Sequence, residues 1–243
     1  MEKKELARIR LCGVTIHDLT LDEAVEAALE KRGEPCFAVT PNALMLEACR
    51  KCSDSAALLN RATLSLPDGA GVLLAAKRQK TPLRARVAGI EFGEALLRRA
   101  AEEGLRVFLL GGKAGVAQRA AERLEARFPG LSVCGSYWGY FERTDEEDRA
   151  LCDHIRACRP DLLFVCFGFP TQEKWIAEHL DRLSALRVVA GLGGSLDVWA
   201  GDVRRAPAPL SRLGLEWAWR MLLQPKRLKK LPAIVRFVVR GGK

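Results

Sequence analysis

Over most of the chain, short runs of β-branched and apolar residues alternate with longer stretches whose apolar positions recur every three or four residues. That alternation is the written form of a mostly parallel sheet covered by helices. The apolar runs predict strands at residues 36–39, 63–66, 106–110, 131–135, 162–167 and 187–192, and a short β ribbon around 9–16. The amphipathic stretches predict helices at 21–31, 43–52, 92–103, 116–128 and 145–158. No internal repeat or low-complexity linker interrupts them. The expected class is α/β: a Rossmann-like, mostly parallel sheet with flanking helices and a short basic helical C-terminal appendage.

The pattern changes after Gly201. From Arg204 onward Pro207, Pro209, Pro225 and Pro232 divide the chain into short helical pieces. Leu213, Trp217 and Met221 recur there at helical spacing, among Arg212, Arg220, Arg227, Lys229 and Lys230. Eleven of the 39 Lys and Arg but only one of the 30 Asp and Glu fall in residues 204–243, which leaves the first 203 residues with 28 against 29. All of the net charge of +9 therefore belongs to the tail. The boundaries that follow are a catalytic domain at 1–203 and a basic amphipathic appendage at 204–243, directed at an anionic partner such as a membrane surface, a phosphorylated lipid or nucleic acid. Near an anionic bilayer each basic side chain contributes about 1 kcal/mol.

No stretch reaches the roughly 18–20 apolar residues of a membrane-spanning helix, and the charged start MEKKELARIR lacks an export signal's apolar core. The expected place is the cytoplasm, peripheral at the inner face of the cell membrane. Eight cysteines are scattered without a secretory marker and read as reduced thiols. Cys49 and Cys52 lack two further ligands for zinc, and with three histidines, none in a ligand pair, no metal site is expected.

In a doubly wound sheet, ligands bind beyond the C-terminal ends of the strands. Five predicted strands end there in small or polar residues: Thr40-Pro41-Asn42, Pro67-Asp68-Gly69, Gly111-Gly112-Lys113, Gly168 to Glu173, and Gly193-Gly194-Ser195-Leu196-Asp197. The two glycine pairs lie between strand and helix, where backbone N–H groups can approach phosphate oxygens, or where a tight turn needs glycine. Neither segment is a P-loop or a GxGxxG fingerprint. Pro-Asp-Gly taken alone reads as a turn. At a strand end beside Thr40 and Asn42, however, Asp68 is placed to take a proton from a sugar hydroxyl. Thr40, Asn42 and Gln172 suit sugar hydroxyls, and Thr40 and Asn42 equally suit a helix cap. Asp197 suits a ribose or base, or a turn. The acids Asp145-Glu146-Glu147-Asp148 read as solvated charge at a helix start.

Taken together, VTPNALMLEACR, LSLPDGAGV, RVAGIEF, VFLLGGKAG, GFPTQEKW, GLGGSLDVWAGDVRRAPAP and GLEWAWRMLLQPKRL resemble the WecG/TagA/CpsF family of glycosyltransferases, family 26, from about Val14 to about Leu228. Glu91, Leu196 and Gln224 stand where the family usually has Asp, Phe and Glu. The resemblance implies an inverting, metal-independent enzyme without a cofactor. It would move an N-acetylmannosamine-like sugar from a UDP donor to undecaprenyl-diphosphate-linked GlcNAc in cell-surface polymer biosynthesis. It also implies a homodimer. By the same resemblance Asp68 is the general base and Thr40 and Asn42 align sugar. Gln172, with Glu173 and Arg86 in the same matching motifs, contacts substrate. Gly111, Gly112, Gly193, Gly194 and Asp197 hold UDP, and Arg220 and Arg227 close over the diphosphate. Two other classes are weaker. A Rossmann oxidoreductase lacks its fingerprint, and a noncatalytic nucleic-acid binder lacks stacking aromatics and a reader motif.

Overall fold

The computed structural model describes residues 6–30, 33–207, 210, 219, 228–229 and 231–241. The chain opens with strands β1 (Arg8–Leu11) and β2 (Val14–His17), helix α1 (Leu21–Leu29), β3 (Cys36–Val39), α2 (Ala43–Lys51), α3 (Ser53–Leu59), β4 (Leu64–Ser65) and α4 (Ala70–Arg78). It continues through α5 (Gly89–Glu103), β5 (Arg106–Gly111), α6 (Val116–Arg127), β6 (Ser132–Tyr137), α7 (Asp145–Ala157) and β7 (Leu162–Cys166). Then come α8 (Thr171–His179), a 3₁₀ turn at Leu180–Leu183, β8 (Val188–Gly191), α9 (Ser195–Trp199) and α10 (Leu231–Arg240). Two compact units divide these elements. The first takes Met1–Ala24, Thr40–Ala88 and Arg205–Lys243; the second takes Val25–Val39 and Gly89–Arg204.

The second unit is a Rossmann-like α/β layer. Five parallel strands run in the order β3-β8-β7-β5-β6. Every residue of β3, β7 and β8 is buried, which is why these strands read as unbroken apolar runs, as parallel strands covered on both faces do. The edge strand β6 is only half-buried, and its register against β5 shifts between Val107 and Phe108. Helix α6 packs on β5, β6 and α9, and α8 packs on β7 and β8. Helix α5 comes close to α9: a Cβ added at Gly93 would lie 2.8 Å from Leu192 and 2.9 Å from Trp199. Glu94 is shared there by Arg127, at 2.9 and 3.0 Å, and by the Trp199 indole N–H at 3.3 Å.

The first unit is assembled from three separate stretches. β1 and β2 form an antiparallel hairpin around Cys12 and Gly13, whose φ values of 48° and 78° are those of a tight primed turn. Asn60 fastens it, donating to Gly13 O at 2.8 Å and accepting from Thr15 N–H at 2.9 Å. Helix α10 packs on α2 and α4 with Phe237 fully buried. Arg78 donates to the carbonyls of Val238 and Val239 at 2.8 and 2.9 Å, satisfying groups that a helix end leaves without an internal partner. The outer side of α10 presents Val235 and Val239 beside Arg236 and Arg240.

Beyond shifts of a residue or two at other ends, three element positions differ from expectation. β4 is two residues long, β6 sits at Ser132–Tyr137, and α5 begins at Gly89. Arg212, Leu213, Trp217, Arg220, Met221, Arg227 and Lys230 lie outside the described residues. Among those described, no helix is long and apolar enough to cross a membrane. All eight cysteines are free thiols.

Candidate active site

In the first unit, backbone hydrogen bonds draw together three segments that carry candidate residues. Asp68 N–H donates to Pro41 O at 3.0 Å, and Val87 N–H donates to Pro67 O at 2.9 Å. Thr40, Asn42, Asp68 and Arg86 are thereby held on adjoining stretches of chain. Thr40 is 8% exposed, and the other three are half-buried. Asn42 caps α2, its Oδ1 accepting from Leu44 and Met45 N–H at 3.0 and 3.2 Å. The cap engages the oxygen and leaves the amide nitrogen as the end that can donate to a ligand. Asp68 precedes Gly69, the N-cap of α4, which puts the residue beside the helix end where the dipole favours negative charge.

In the second unit the candidates follow β5, β7 and β8. Gly111 has φ 139°, and a Cβ there would lie 2.6 Å from the Cys166 carbonyl oxygen, so only glycine fits between the ends of β5 and β7. A Cβ on Gly112 would meet Val116 at 2.8 Å. This pair thus has a packing reason as well as its place on the sheet edge. Gly112 O accepts from Gly139 N–H at 2.8 Å. Beyond β8, Gly194 is exposed, and Asp197 is half-buried on α9.

Gln172 is 3% exposed and bridges two of these loops. Its Oε1 accepts from Gly168 N–H at 3.1 Å and Gly193 N–H at 2.9 Å, while its Nε2 donates to Glu173 Oε1 at 2.8 Å. The Gly193 N–H, a candidate phosphate donor by sequence, is therefore turned toward Gln172. Glu173 is 0% exposed. Burial pushes its carboxyl up to about 7, against weaker opposing pulls from the Gln172 hydrogen bond and its own backbone N–H. Both side chains lie inside the loop framework.

Sequence reading missed a second cluster in this unit. The acid run was expected to be solvated, but Asp148 is only 8% exposed. It accepts from the Trp175 indole N–H at 2.6 Å, with His179 Nε2 at 3.9 Å. The signal was present in the periodicity: Asp148 lies on the same helical stripe as buried Leu151, Cys152 and Ile155. These groups border a groove of about 490 Å³ that is also lined by Arg143, Lys174 and Arg182. The Arg143 guanidinium carbon lies 4.0 Å from the Phe167 ring centre and 4.8 Å from that of Phe141. Burial lowers its pKa, opposed by the charges of Asp148 and Glu178.

Comparison with known proteins bears on what these loops serve. A family model described as "Glycosyl transferase WecG/TagA/CpsF family" matches residues 9–241. A relative from Staphylococcus aureus (strain MRSA252), named N-acetylglucosaminyldiphosphoundecaprenol N-acetyl-beta-D-mannosaminyltransferase, is 33% identical over 246 aligned positions. The alignment covers 100% of this chain and 95% of the relative. A protein of the same name from S. aureus (strain NCTC 8325 / PS 47) matches with the same identity and coverage. With nearly the whole chain matched and Asp68 and the strand-end loops inside the matched span, the protein belongs to the WecG/TagA/CpsF family of glycosyltransferases.

Proposed function

We propose that this glycosyltransferase moves an N-acetylmannosamine-like sugar from a UDP donor to polyprenyl-diphosphate-linked N-acetylglucosamine, with inversion and without a metal. The observation that carries the reading is the full-length relationship to transferases named for that sugar and that acceptor. Direct displacement needs few groups. The acceptor hydroxyl oxygen bonds to the anomeric carbon as the bond to the β-phosphate oxygen breaks. The hydroxyl proton passes to a base, and UDP leaves with the electron pair. Asp68 is the base in this scheme, with Thr40, Asn42 and Arg86 as sugar contacts from the same unit. The glycine turns after β5 and β8, together with Asp197, are assigned to UDP, and Arg220 and Arg227 of the tail to the growing phosphate charge.

A lipid-linked acceptor calls for work at a membrane surface. Three features of the first unit suit that setting: the basic tail, the apolar side of α10 with Val235 and Val239 51% and 65% exposed, and Leu74 on α4 at 42%. The test is a transfer assay with a panel of UDP-sugars and a short-chain lipid-diphosphate GlcNAc. Disaccharide formed from UDP-N-acetylmannosamine with inverted anomeric configuration, undiminished by EDTA, is the expected result. Transfer only from another nucleotide class, or retention of configuration, would overturn the proposal.

A further inference from the structure

The bridge made by Gln172 depends on which way round its amide sits. Two backbone N–H groups, those of Gly168 and Gly193, converge on one end, and only an oxygen can accept from both. An amide with its nitrogen there would set donor against donor. The two donors favour the oxygen, and an acceptor facing the nitrogen at the other end fixes the same orientation; the structure holds one such group. Glu173 Oε1 accepts from Gln172 Nε2 at 2.8 Å. The space is also cut to the amide, because a Cβ added at Gly191 would lie 2.8 Å from Nε2.

Glu173 is an expensive residue to place there. It is 0% exposed, and its second oxygen, Oε2, has no hydrogen-bond partner among the described residues. A leucine of similar length would fill the space without that cost but would offer no acceptor. We propose that Glu173 is a positioning residue, whose buried carboxyl locks the Gln172 amide so that one oxygen holds the turns after β7 and β8 in register. The consequence for donor binding rests on the transferase reading above; the lock itself does not. Its carboxyl, pushed up to about 7 by burial, offers an acceptor oxygen in either protonation state, so the lock requires the oxygen and not the charge.

The test uses the full chain and three variants, read by hydrogen exchange at the Gly168 and Gly193 amides and by the UDP dissociation constant. Glu173→Leu should speed exchange at both amides and weaken UDP binding, each by about tenfold or more. Glu173→Gln, which keeps the acceptor, should stay within about threefold of wild type on both readings at about pH 5, where the folded wild-type carboxyl is protonated. The double variant Gln172→Glu with Glu173→Leu is the decisive one. A carboxylate has two equivalent oxygens and no orientation to select, so protection of both glycine amides should return. Loss of protection in Glu173→Gln equal to that in Glu173→Leu would overturn the proposal, because charge or proton transfer would then be the property that matters. So would a double variant that leaves both amides open. Unchanged protection of both amides in Glu173→Leu would overturn it as well, because the two N–H groups would then orient the amide unaided; if Glu173→Leu alone does not fold, the double variant must still fold and protect both amides or the proposal falls. Wild-type protein that fails to bind UDP would remove the donor reading while leaving the exchange results to judge the lock.

Discussion

The two units hold their candidate residues by different means. In the first, main-chain bonds join the stretches that carry Asp68 and its neighbours, Asp68 N–H to Pro41 O and Val87 N–H to Pro67 O. In the second, the turns after β7 and β8 are joined by the Gln172 side chain, itself oriented by Glu173. A main-chain scaffold does not depend on which side chain it displays. The first unit should therefore tolerate changes at its reactive group without losing shape, whereas the second should change shape when a bracing side chain changes.

The largest effect that sharpens this contrast is at Asp68. Asp68→Asn should lower transfer by about 10²- to 10⁴-fold, the usual contribution of a positioned base, with UDP affinity and melting temperature near wild type. Near-normal turnover would return Asp68 to the role of a turn residue. Next is Phe237→Ala, which empties the buried contact of α10 with the rest of its unit. A stability loss of about 3–5 kcal/mol is expected in urea unfolding. A loss below about 1 kcal/mol would mean that α10 adds little to the first unit.

In the second unit, Glu173→Gln carries a pH signature. Because burial raises the folded-state pKa from 4.5 to about 7, the wild-type carboxyl is fully favourable to folding below about pH 4.5. That contribution is lost as pH rises through about 7. Relative to wild type, the glutamine variant should therefore gain stability between about pH 5 and 8, on the order of 3 kcal/mol in all. A melting-temperature difference that stays flat with pH would place the carboxyl in water. The smallest effect is at Gly93, where Gly93→Ala should cost about 1–3 kcal/mol by overpacking against Leu192 and Trp199. An unchanged melting temperature there would show that α5 has room to move.

Much of the second unit was legible in the sequence because a buried parallel sheet leaves a simple record. Residues 36–39 were read to the residue, and 162–167 and 187–192 to within one. The edge strand β6 was offset because it is half-buried and its apolar record is diluted. β4 is too short for periodicity to bound. In the first unit, the segments 40–42, 67–69 and 86–87 were recognised one by one. Their union rests on main-chain bonds, which leave no trace in side-chain identity. Two meanings left open for Asn42 were narrowed by its cap on α2. The polarity of Gln172 is visible in the sequence, whereas its burial and its bridge between Gly168 and Gly193 are not. The acid run at 145–148 concealed Asp148 because composition suggested solvent while helical spacing placed it inward.

The shared hold on Gly168 and Gly193 has a consequence for redesign. Two turns fastened to one amide cannot be lengthened or re-aimed independently, since moving either withdraws an N–H from the same oxygen. An effort to alter donor preference by grafting loops would have to exchange both turns with the glutamine and its glutamate as one cassette. Point changes at Thr40, Asn42 or Arg86 leave that amide in place.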